Sequence, residues 1–271
     1  MHALAAPWSH GFMQHALLEL TLLGIVGGVL GCWAILYELS YSAESLAHAL
    51  FPGLVVAALV GLPLVVGGAA GVLLAAASIA VFGRTPAIGR DASVAVVITS
   101  LFGLGVLLAL SRASPPGLDA LLFGDLLGVS TTDLIVAGAL VPAVLLAIAV
   151  LHRNLLLVGF DRSSARALGG RPLLADLGLL GLLGIAIVIG VQGLGNLLVL
   201  AVVIGPAATA RLLARRILPM MTLAAGIAVA CGAGGLYLSY YANLAGGASV
   251  AAVMVGVYAT ARVSTRLLPA R

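Results

Sequence analysis

Apolar runs of about twenty residues recur along this chain, and short polar segments separate them. A membrane-spanning helix needs roughly 20 apolar residues, so each run has the length of one span. The mean hydropathy is +1.23, and only 8% of the residues are charged. The runs are continuous rather than alternating, which excludes a transmembrane β-barrel. We therefore expect an all-α, polytopic membrane protein that forms one transmembrane domain over residues 1–271.

Nine spans are predicted from the hydropathy, and an eight-span count stays open at the N-terminal end. If the N-terminus is outside, all but Arg112 of the 13 basic residues fall in inside segments. Inside loops of membrane proteins carry such an excess, so the C-terminus is expected to be cytoplasmic. The predicted spans lie at about residues 17–37, 43–60, 64–83, 92–110, 133–151, 173–191, 195–213, 220–240 and 248–268.

The basic residues are all Arg, and the chain contains no Lys. A Walker A motif needs a Lys to contact the nucleotide phosphates, so this chain cannot be its own P-loop ATPase. The pI near 9.5 could indicate a nucleic-acid partner. However, the arginines form short clusters between apolar runs, which is the distribution of cytoplasmic loops. The composition therefore favours a membrane protein without nucleic-acid binding.

Glu44 and His48 form the clearest candidate site, at the beginning of the second predicted span. On a helix they share a face one turn apart, and ionisable groups inside a span commonly mark functional sites. Pro52 has no N–H to donate to the carbonyl of His48, which it would leave without its helical partner. A carboxylate and an imidazole can replace water molecules around a divalent metal ion. The alternatives are that Glu44 pairs with His48 or simply lies at the membrane interface.

One Glu and one His cannot complete the coordination of a metal ion. Either other helices or a second copy of the chain must supply further ligands, and a two-fold dimer would bring two such pairs together at its axis. No Cys lies near Glu44 in the sequence, and thiolates would favour zinc. The residue types therefore tilt the assignment toward manganese or iron.

Gly205 and Pro206 lie in the seventh predicted span. Pro206 removes a backbone hydrogen bond to the carbonyl of Val202, and the neighbouring glycine adds local freedom. Sharp bends in helices commonly occur at such positions. Gly205 and Pro206, and likewise Pro52 in the second predicted span, are therefore candidates for either a kink or a gate in a transport pathway.

The longest inside loop spans residues 152–172 and contains the pattern of a short helix. Asp161 can cap its N-terminus, and Gly169 can end it. Arg162 and Arg166 would then share one face, with Ala165 and Leu168 on another. Such a helix suits docking to a partner protein, although a solvated, positively charged loop is the alternative.

The residues of this loop resemble the coupling segment of a known protein family. Residues 159–169, GFDRSSARALG, are similar to the segment by which permeases of the metal-ion family of ATP-binding-cassette (ABC) importers contact their ATPase. Three further motifs follow the family order: AESLAHALFPG at 43–53, LLFGDLLGV at 121–129 and GNLLVLAVVIGPAATAR at 195–211. By this resemblance the coupling segment covers about residues 158–171, and its contacts to the ATPase come from Phe160, Asp161, Arg162, Ala165, Arg166, Leu168 and Gly169.

The resemblance implies a permease subunit that imports manganese, iron or zinc and catalyses no reaction itself. Its implied partners are two ATPase subunits that use ATP, an external metal-binding protein, and a second permease chain in a homodimer or heterodimer. Its implied location is the bacterial cytoplasmic membrane. Glu44 and His48 would bind the transported metal, with Glu44 at a position where the family usually has Asp. A permease for a metal chelate or siderophore, and an ion-coupled secondary carrier, are the alternative functions.

Overall fold

The computed structural model describes residues 6–82, 90–110, 122 and 124–267. Arg84, Arg112, Leu121, Phe123 and Arg271 lie outside these residues. The described part of the chain is helical and contains no strand. A 3-10 turn at Ala6–Ser9 precedes the helices, which are α1 Gly11–Leu36, α2 Ser40–Val60, α3 Leu64–Phe82, α4 Arg90–Ala109, α5 Thr131–Phe160, α6 Arg162–Ala167, α7 Pro172–Leu213, α8 Ile217–Ala242 and α9 Gly246–Leu267.

The helices coincide with the predicted spans. Among the described residues, six helices are long and apolar enough to cross a membrane, and three shorter apolar helices occupy the remaining predicted spans. The expected class, an all-α polytopic membrane protein, is thereby confirmed. The six are Gly11–Leu36, Ser40–Val60, Thr131–Phe160, Leu174–Val191, Ile217–Ala242 and Gly246–Leu267, and the shorter ones are Leu64–Ala75, Ala95–Ala109 and Leu198–Leu213.

Helix α7 is a hairpin of two arms rather than one straight helix. Its 42 residues would extend for about 63 Å if straight, which is twice the thickness of a bilayer core. The backbone breaks at Gly195, with φ 74° and ψ 160°. Gly190 and Val199 lie side by side across the break, since a Cβ at Gly190 would be 2.6 Å from Val199 Cγ2. The first arm is therefore 172–194 and the second 196–213, close to the predicted sixth and seventh spans.

Helix α1 lies at the centre of the molecule and packs against α5, both arms of α7 and α8. Trp33, Leu23 and Leu30 are among its fully buried side chains. A Cβ at Gly31 would overlap the carbonyl oxygen of Val203 in the second arm of α7. Small residues of this kind allow membrane helices to approach closely, so packing rather than hydrophobic exclusion from water holds α1 in place.

The side of the molecule that carries α6, here called the α6 side, is defined by two sets of hydrogen bonds. The hydroxyl of Tyr37, just after α1, donates to the carbonyl of Leu155 near the end of α5 over 2.7 Å. The side chain of Asn154 exchanges hydrogen bonds of 3.2 and 3.0 Å with the backbone of Arg171, just before α7. The end of α1, the end of α5 and the start of α7 therefore meet here. The positive-inside rule predicts that this side is cytoplasmic.

Candidate functional site

Helix α2 carries both Glu44 and His48 in its first half. It begins at Ser40, three residues before the predicted span, and ends at Val60. His48 is therefore only about 3 Å along the axis from the middle of the helix, and Glu44 lies about 6 Å nearer the α6 side. Glu44 is exposed and His48 is half-buried. The earlier start of the helix thus moves the pair inward from where hydropathy alone places it.

The imidazole of His48 packs against aromatic side chains. Its ring centroid lies 4.5 Å from that of Phe102 in α4, and Phe102 in turn lies 5.3 Å from Phe51. The Nδ1 atom of His48 is buried and has no hydrogen-bond partner. Glu44 therefore does not pair with this nitrogen. Because a buried polar atom without a partner is costly, this nitrogen is a natural ligand position.

Close helix contacts fix the segment that follows His48. Pro52 is buried, and α2 continues through it to Val60. A Cβ at Gly53 would overlap the carbonyl oxygen of Gly67 in α3, and one at Gly105 in α4 would lie 2.7 Å from Phe51. Helix α3 thus contacts the backbone of α2 directly, and α4 packs closely against the Phe51 side chain of α2. Rigid support of this kind positions a binding site more accurately than a loop does.

Glu44 and His48 are not joined by a third His, Cys, Asp or Glu among the described residues. In the described part of the chain, no group of three or more His, Cys, Asp or Glu side chains is arranged to hold a metal ion. A metal ion placed there would therefore meet at most these two side chains of those types within the described residues. This arrangement fits a site at which a second chain contributes the remaining ligands.

Helix α6 has the short length and the cap that the sequence predicts. The carboxylate of Asp161 accepts hydrogen bonds from the backbone N–H of Ser163 over 2.9 Å, from the Ser163 hydroxyl over 2.7 Å, and from the hydroxyl of Ser164. These hydrogen bonds lower the pKa of Asp161 to about 2. Gly169 follows the helix with φ 78°, a left-handed conformation that glycine adopts readily and that commonly ends helices.

The faces of the α6 segment differ sharply in exposure. Ala165 is 1% exposed and anchors the helix to the rest of the molecule, whereas Phe160 is 96% exposed and Leu168 70% exposed. Arg166 is also exposed, and the side chain of Arg162 lies outside the described part. A cavity of about 350 Å³ opens beside Phe160, and its lining includes the turn between α1 and α2. Large apolar side chains exposed beside a cavity typically mark a surface for another protein.

The cap at Asp161 leads to a testable prediction about the order of α6. Asp161→Ala is expected to increase amide hydrogen exchange across residues 162–168, whereas Asp161→Asn should not, because Asn also accepts hydrogen bonds at this position. The folded pKa lies below the ordinary value, so the charged cap contributes fully above about pH 4 and is lost as the pH falls toward 2. Exchange at these amides, corrected for intrinsic rates, should therefore be constant from pH 5 to 8. Equal protection in Asp161→Ala would contradict the capping role.

Gly205 and Pro206 lie against α9 in the second arm of α7. A Cβ at Gly205 would be 3.9 Å from Met254, and Pro206 is buried. The hydroxyl of Thr209 donates to the carbonyl of Gly205 over 2.9 Å. The non-helical backbone within α7 occurs at Gly195, eleven residues before Pro206. The sharp reversal thus belongs to Gly195, and a gate at Gly205 and Pro206 stays a prediction.

The sequence analysis does not identify two buried polar side chains as candidate site residues. Glu19 in α1 is 2% exposed, and Asn196 in α7 is 1% exposed. Both have atoms without a hydrogen-bond partner. Glu19 could have been recognised as the acidic residue of the first predicted span. Asn196 gives no comparable signal, because its burial depends on the reversal of α7.

Comparison with known proteins identifies the family. A family model described as the ABC 3 transport family matches residues 9–264. The chain belongs to this family. The ABC 3 chain is 34% identical over 254 residues to the manganese transport system membrane protein MntC of Halalkalibacterium halodurans, with 93% of this chain and 87% of that protein covered. It is 26% identical over 266 residues to the chelated iron transport system membrane protein YfeD of Yersinia pestis, with 98% and 90% covered.

Solved structures share the fold of this ABC 3 chain. PsaBC from Streptococcus pneumoniae, determined in complex with a Fab, matches with a TM-score of 0.90 and 30% sequence identity, over 96% of this chain and 95% of that chain. A second ABC transporter in an inward-facing conformation matches with a TM-score of 0.67 at 15% identity, covering 92% and 86%. The second likeness shows the fold alone. The ABC 3 chain is thus a permease-type membrane subunit.

Proposed function

We propose that this chain is the transmembrane permease of an ATP-driven importer for a divalent transition-metal ion, with manganese or iron favoured over zinc. The observation that carries the proposal is the pair on α2. One turn separates an exposed carboxylate, Glu44, from an imidazole, His48, whose buried Nδ1 has no protein partner. Oxygen ligands suit Mn²⁺, and imidazole suits Fe²⁺. The relative named for manganese transport supports the same cargo.

Two copies of the chain, or this chain and a related one, would form the complete pathway. Two pairs of Glu44 and His48 facing each other across a two-fold axis supply four ligands. That number replaces most of the water shell of a six-coordinate ion while leaving room for exchange. Glu44 has one more methylene than Asp, so it reaches further toward the axis from the same helix face.

The α6 segment would couple this site to ATP hydrolysis in separate ATPase subunits. Phe160, Asp161, Arg162, Ala165, Arg166, Leu168 and Gly169 form the proposed contact. The segment is joined directly to α5, and Asn154 ties the end of α5 to the start of α7 through Arg171. Ala165 anchors α6 itself, since its carbonyl accepts a hydrogen bond of 2.7 Å from the N–H of Gly170. Movement of α6 would therefore shift both long helices, as alternating access requires.

The remaining partners and the location follow from this role. An external metal-binding protein would deliver the ion on the side opposite α6. The complex would lie in the bacterial cytoplasmic membrane, with the α6 side and the C-terminus inside, as the distribution of arginines predicts. The permease itself would not hydrolyse ATP at a P-loop, since the chain has no Lys for a Walker A motif.

Uptake into proteoliposomes tests the proposed function directly. The permease, reconstituted with its ATPase chain, is expected to accumulate Mn²⁺ or Fe²⁺ only when ATP is present on the α6 side. Uptake that is independent of ATP and is driven by an imposed proton or sodium gradient would show an ion-coupled secondary carrier. Membership of an ABC transport family argues against that alternative.

A metal-chelate permease is the second candidate, because one relative is named for chelated iron. A chelate enters with its metal already coordinated, so it needs a wide path rather than ligands such as Glu44 and His48. A competition experiment distinguishes the two candidates. In an importer of bare ions, unlabelled Mn²⁺ should block the uptake of free radioactive metal. In a chelate permease, unlabelled Mn²⁺ should not reduce uptake, and the intact chelate should be transported.

The exposed apolar side chains of the α6 segment lead to a prediction about coupling. Phe160→Ala and Leu168→Ala together are expected to lower ATP-dependent uptake by at least tenfold, because each removes a large apolar contact at the proposed interface. Co-purification of the ATPase should fall in parallel. Val150→Ala is the matched control, since Val150 is 75% exposed on α5 away from α6. Unchanged co-purification in the double variant would remove α6 as the coupling element.

A further inference from the structure

The turn between the arms of α7 is buried and carries polar atoms without partners. Asn196 begins the second arm and is 1% exposed, and neither its side-chain nitrogen nor its oxygen has a hydrogen-bond partner. Glu19 in α1 is 2% exposed, and its Oε2 also has none. Buried polar groups in folded proteins are normally paired. Glu19 and Asn196 therefore have an unusual, unsatisfied capacity for polar contacts close to one helix break.

The carboxylate of Glu19 lies directly against this turn. A Cβ at Gly193 would be 2.6 Å from Oε1 and 3.0 Å from Oε2 of Glu19. From another direction, a Cβ at Gly124 would lie 2.6 Å from the backbone nitrogen of Gly195. The absence of side chains at Gly193 and Gly124 lets α1 and the 124–130 segment close on the turn. The site is therefore enclosed by three parts of the chain.

The described surroundings of Glu19 offer no compensating positive charge. The charged group that interacts with it is Asp133, which is also acidic and is held by the backbone N–H and hydroxyl of Ser130 at 3.0 and 2.6 Å. His15, one turn before Glu19 on α1, has its Nδ1 3.3 Å from the carbonyl oxygen of Val129. An ionised carboxylate in such a place needs a cation, since burial of an isolated charge is prohibitively unfavourable.

We propose that Glu19 and Asn196 bind a hard divalent cation of the Mn²⁺ class at the turn of α7. Carboxylate and amide oxygens are the ligands that such ions prefer. Interrupted membrane helices commonly present free backbone carbonyls to cations at the break. Among the described residues no group of three or more His, Cys, Asp or Glu side chains is arranged to hold a metal ion, so backbone carbonyls and water would supply most of the remaining ligands.

This cation site is distinct from the one on α2. Glu19 lies about 12 Å along α1 from its first residue, on the side opposite α6, whereas Glu44 lies about 6 Å from the α6 end of α2. An ion at the turn would connect α1 to the second arm of α7. It therefore stabilises the folded permease whether or not transport occurs, which gives a readout independent of the proposed function.

Mn²⁺ binding to the full-length permease in lipid nanodiscs tests the proposal. The α2 site is first removed by Glu44→Gln and His48→Ala, and bound Mn²⁺ is then counted from the loss of the free-ion signal in electron paramagnetic resonance. One Mn²⁺ per chain is expected to remain. Adding Glu19→Gln should weaken its binding at least tenfold, and adding Asn196→Asp should strengthen it by a similar factor. Mn²⁺ should raise the melting temperature of the background protein but not of the Glu19→Gln protein.

Glu38→Gln is the matched control, because it removes one carboxylate about 28 Å away along the axis of α1. It should leave the binding isotherm unchanged. Identical isotherms with and without Glu19→Gln would overturn the proposal. A higher melting temperature in Glu19→Gln without any change in Mn²⁺ binding would also overturn it, since Glu19 would then be a protonated structural group. If Glu19→Gln does not fold, Asn196→Asp alone tests the proposal. The proposal is then rejected if Asn196→Asp does not bind Mn²⁺ more tightly than the background protein.

Discussion

Glu44→Ala and His48→Ala are each expected to lower ATP-dependent Mn²⁺ uptake by at least about 100-fold, because loss of even an outer-shell partner of a metal typically costs 10- to 100-fold in affinity. In the proposed site each substitution would remove two ligands from a homodimer, or one ligand from a heterodimer. His48→Ala also empties the space beside Phe102, whose ring lies 4.5 Å from the imidazole. Initial rates in proteoliposomes, normalised to the amount of folded permease, measure the effect.

Two further variants separate coordination from structure. Glu44→Asp should retain most of the uptake, since it keeps the charge and shortens the arm by one methylene, whereas Glu44→Gln should behave like Glu44→Ala. Ser45→Ala is the control, because it removes a hydroxyl from the intervening position without changing charge. If Glu44→Gln and His48→Ala transported at the rate of the unaltered chain, α2 would not carry the metal site, although the fold would stand.

The sequence predicts the helices well because each depends on local properties. Continuous apolar runs define the spans, and polar or glycine-rich segments interrupt them. The cap at Asp161 and the left-handed Gly169 are likewise local signals, and both are confirmed. The position of Glu44 within its helix is harder to predict from the sequence. The hydropathy places the beginning of the second span at residue 43, whereas α2 begins at Ser40. The first residues of the helix are polar, so they lower the mean hydropathy and the predicted span excludes them.

The environment of each site depends on contacts between distant parts of the chain. Phe102 is 54 residues from His48, and no local pattern indicates that it covers the imidazole. The burial of Asn196 follows from the reversal at Gly195, which is enclosed only because α1 and the 124–130 segment pack against it. Gly124 and Gly195 lie in motifs that the sequence analysis quotes, but the motifs do not indicate that these two glycines meet, because their contact depends on the tertiary fold.

Gly53→Ala is expected to destabilise the permease by about 1–3 kcal/mol, the usual effect of overpacking a close contact. The added methyl would overlap the carbonyl oxygen of Gly67 and lie 2.7 Å from the backbone nitrogen of Gly71. Since these are backbone atoms of α3, no side-chain rotation relieves the overlap, and α2 must move away. Because Gly53 lies five residues after His48, uptake per folded molecule should fall as well. Thermal unfolding in nanodiscs and initial uptake rates measure the two effects.

Gly103→Ala supplies the control that makes this result specific. Gly103 lies inside α4, and a Cβ there meets no atom within 4 Å. Alanine is the better helix former by up to about 1 kcal/mol, so this variant should be neutral or more stable. The two substitutions are chemically identical and differ only in what the methyl group meets. If both melted alike, α2 and α3 would not touch through their backbones, and the rigid support proposed for Glu44 and His48 would have to come from α4 alone.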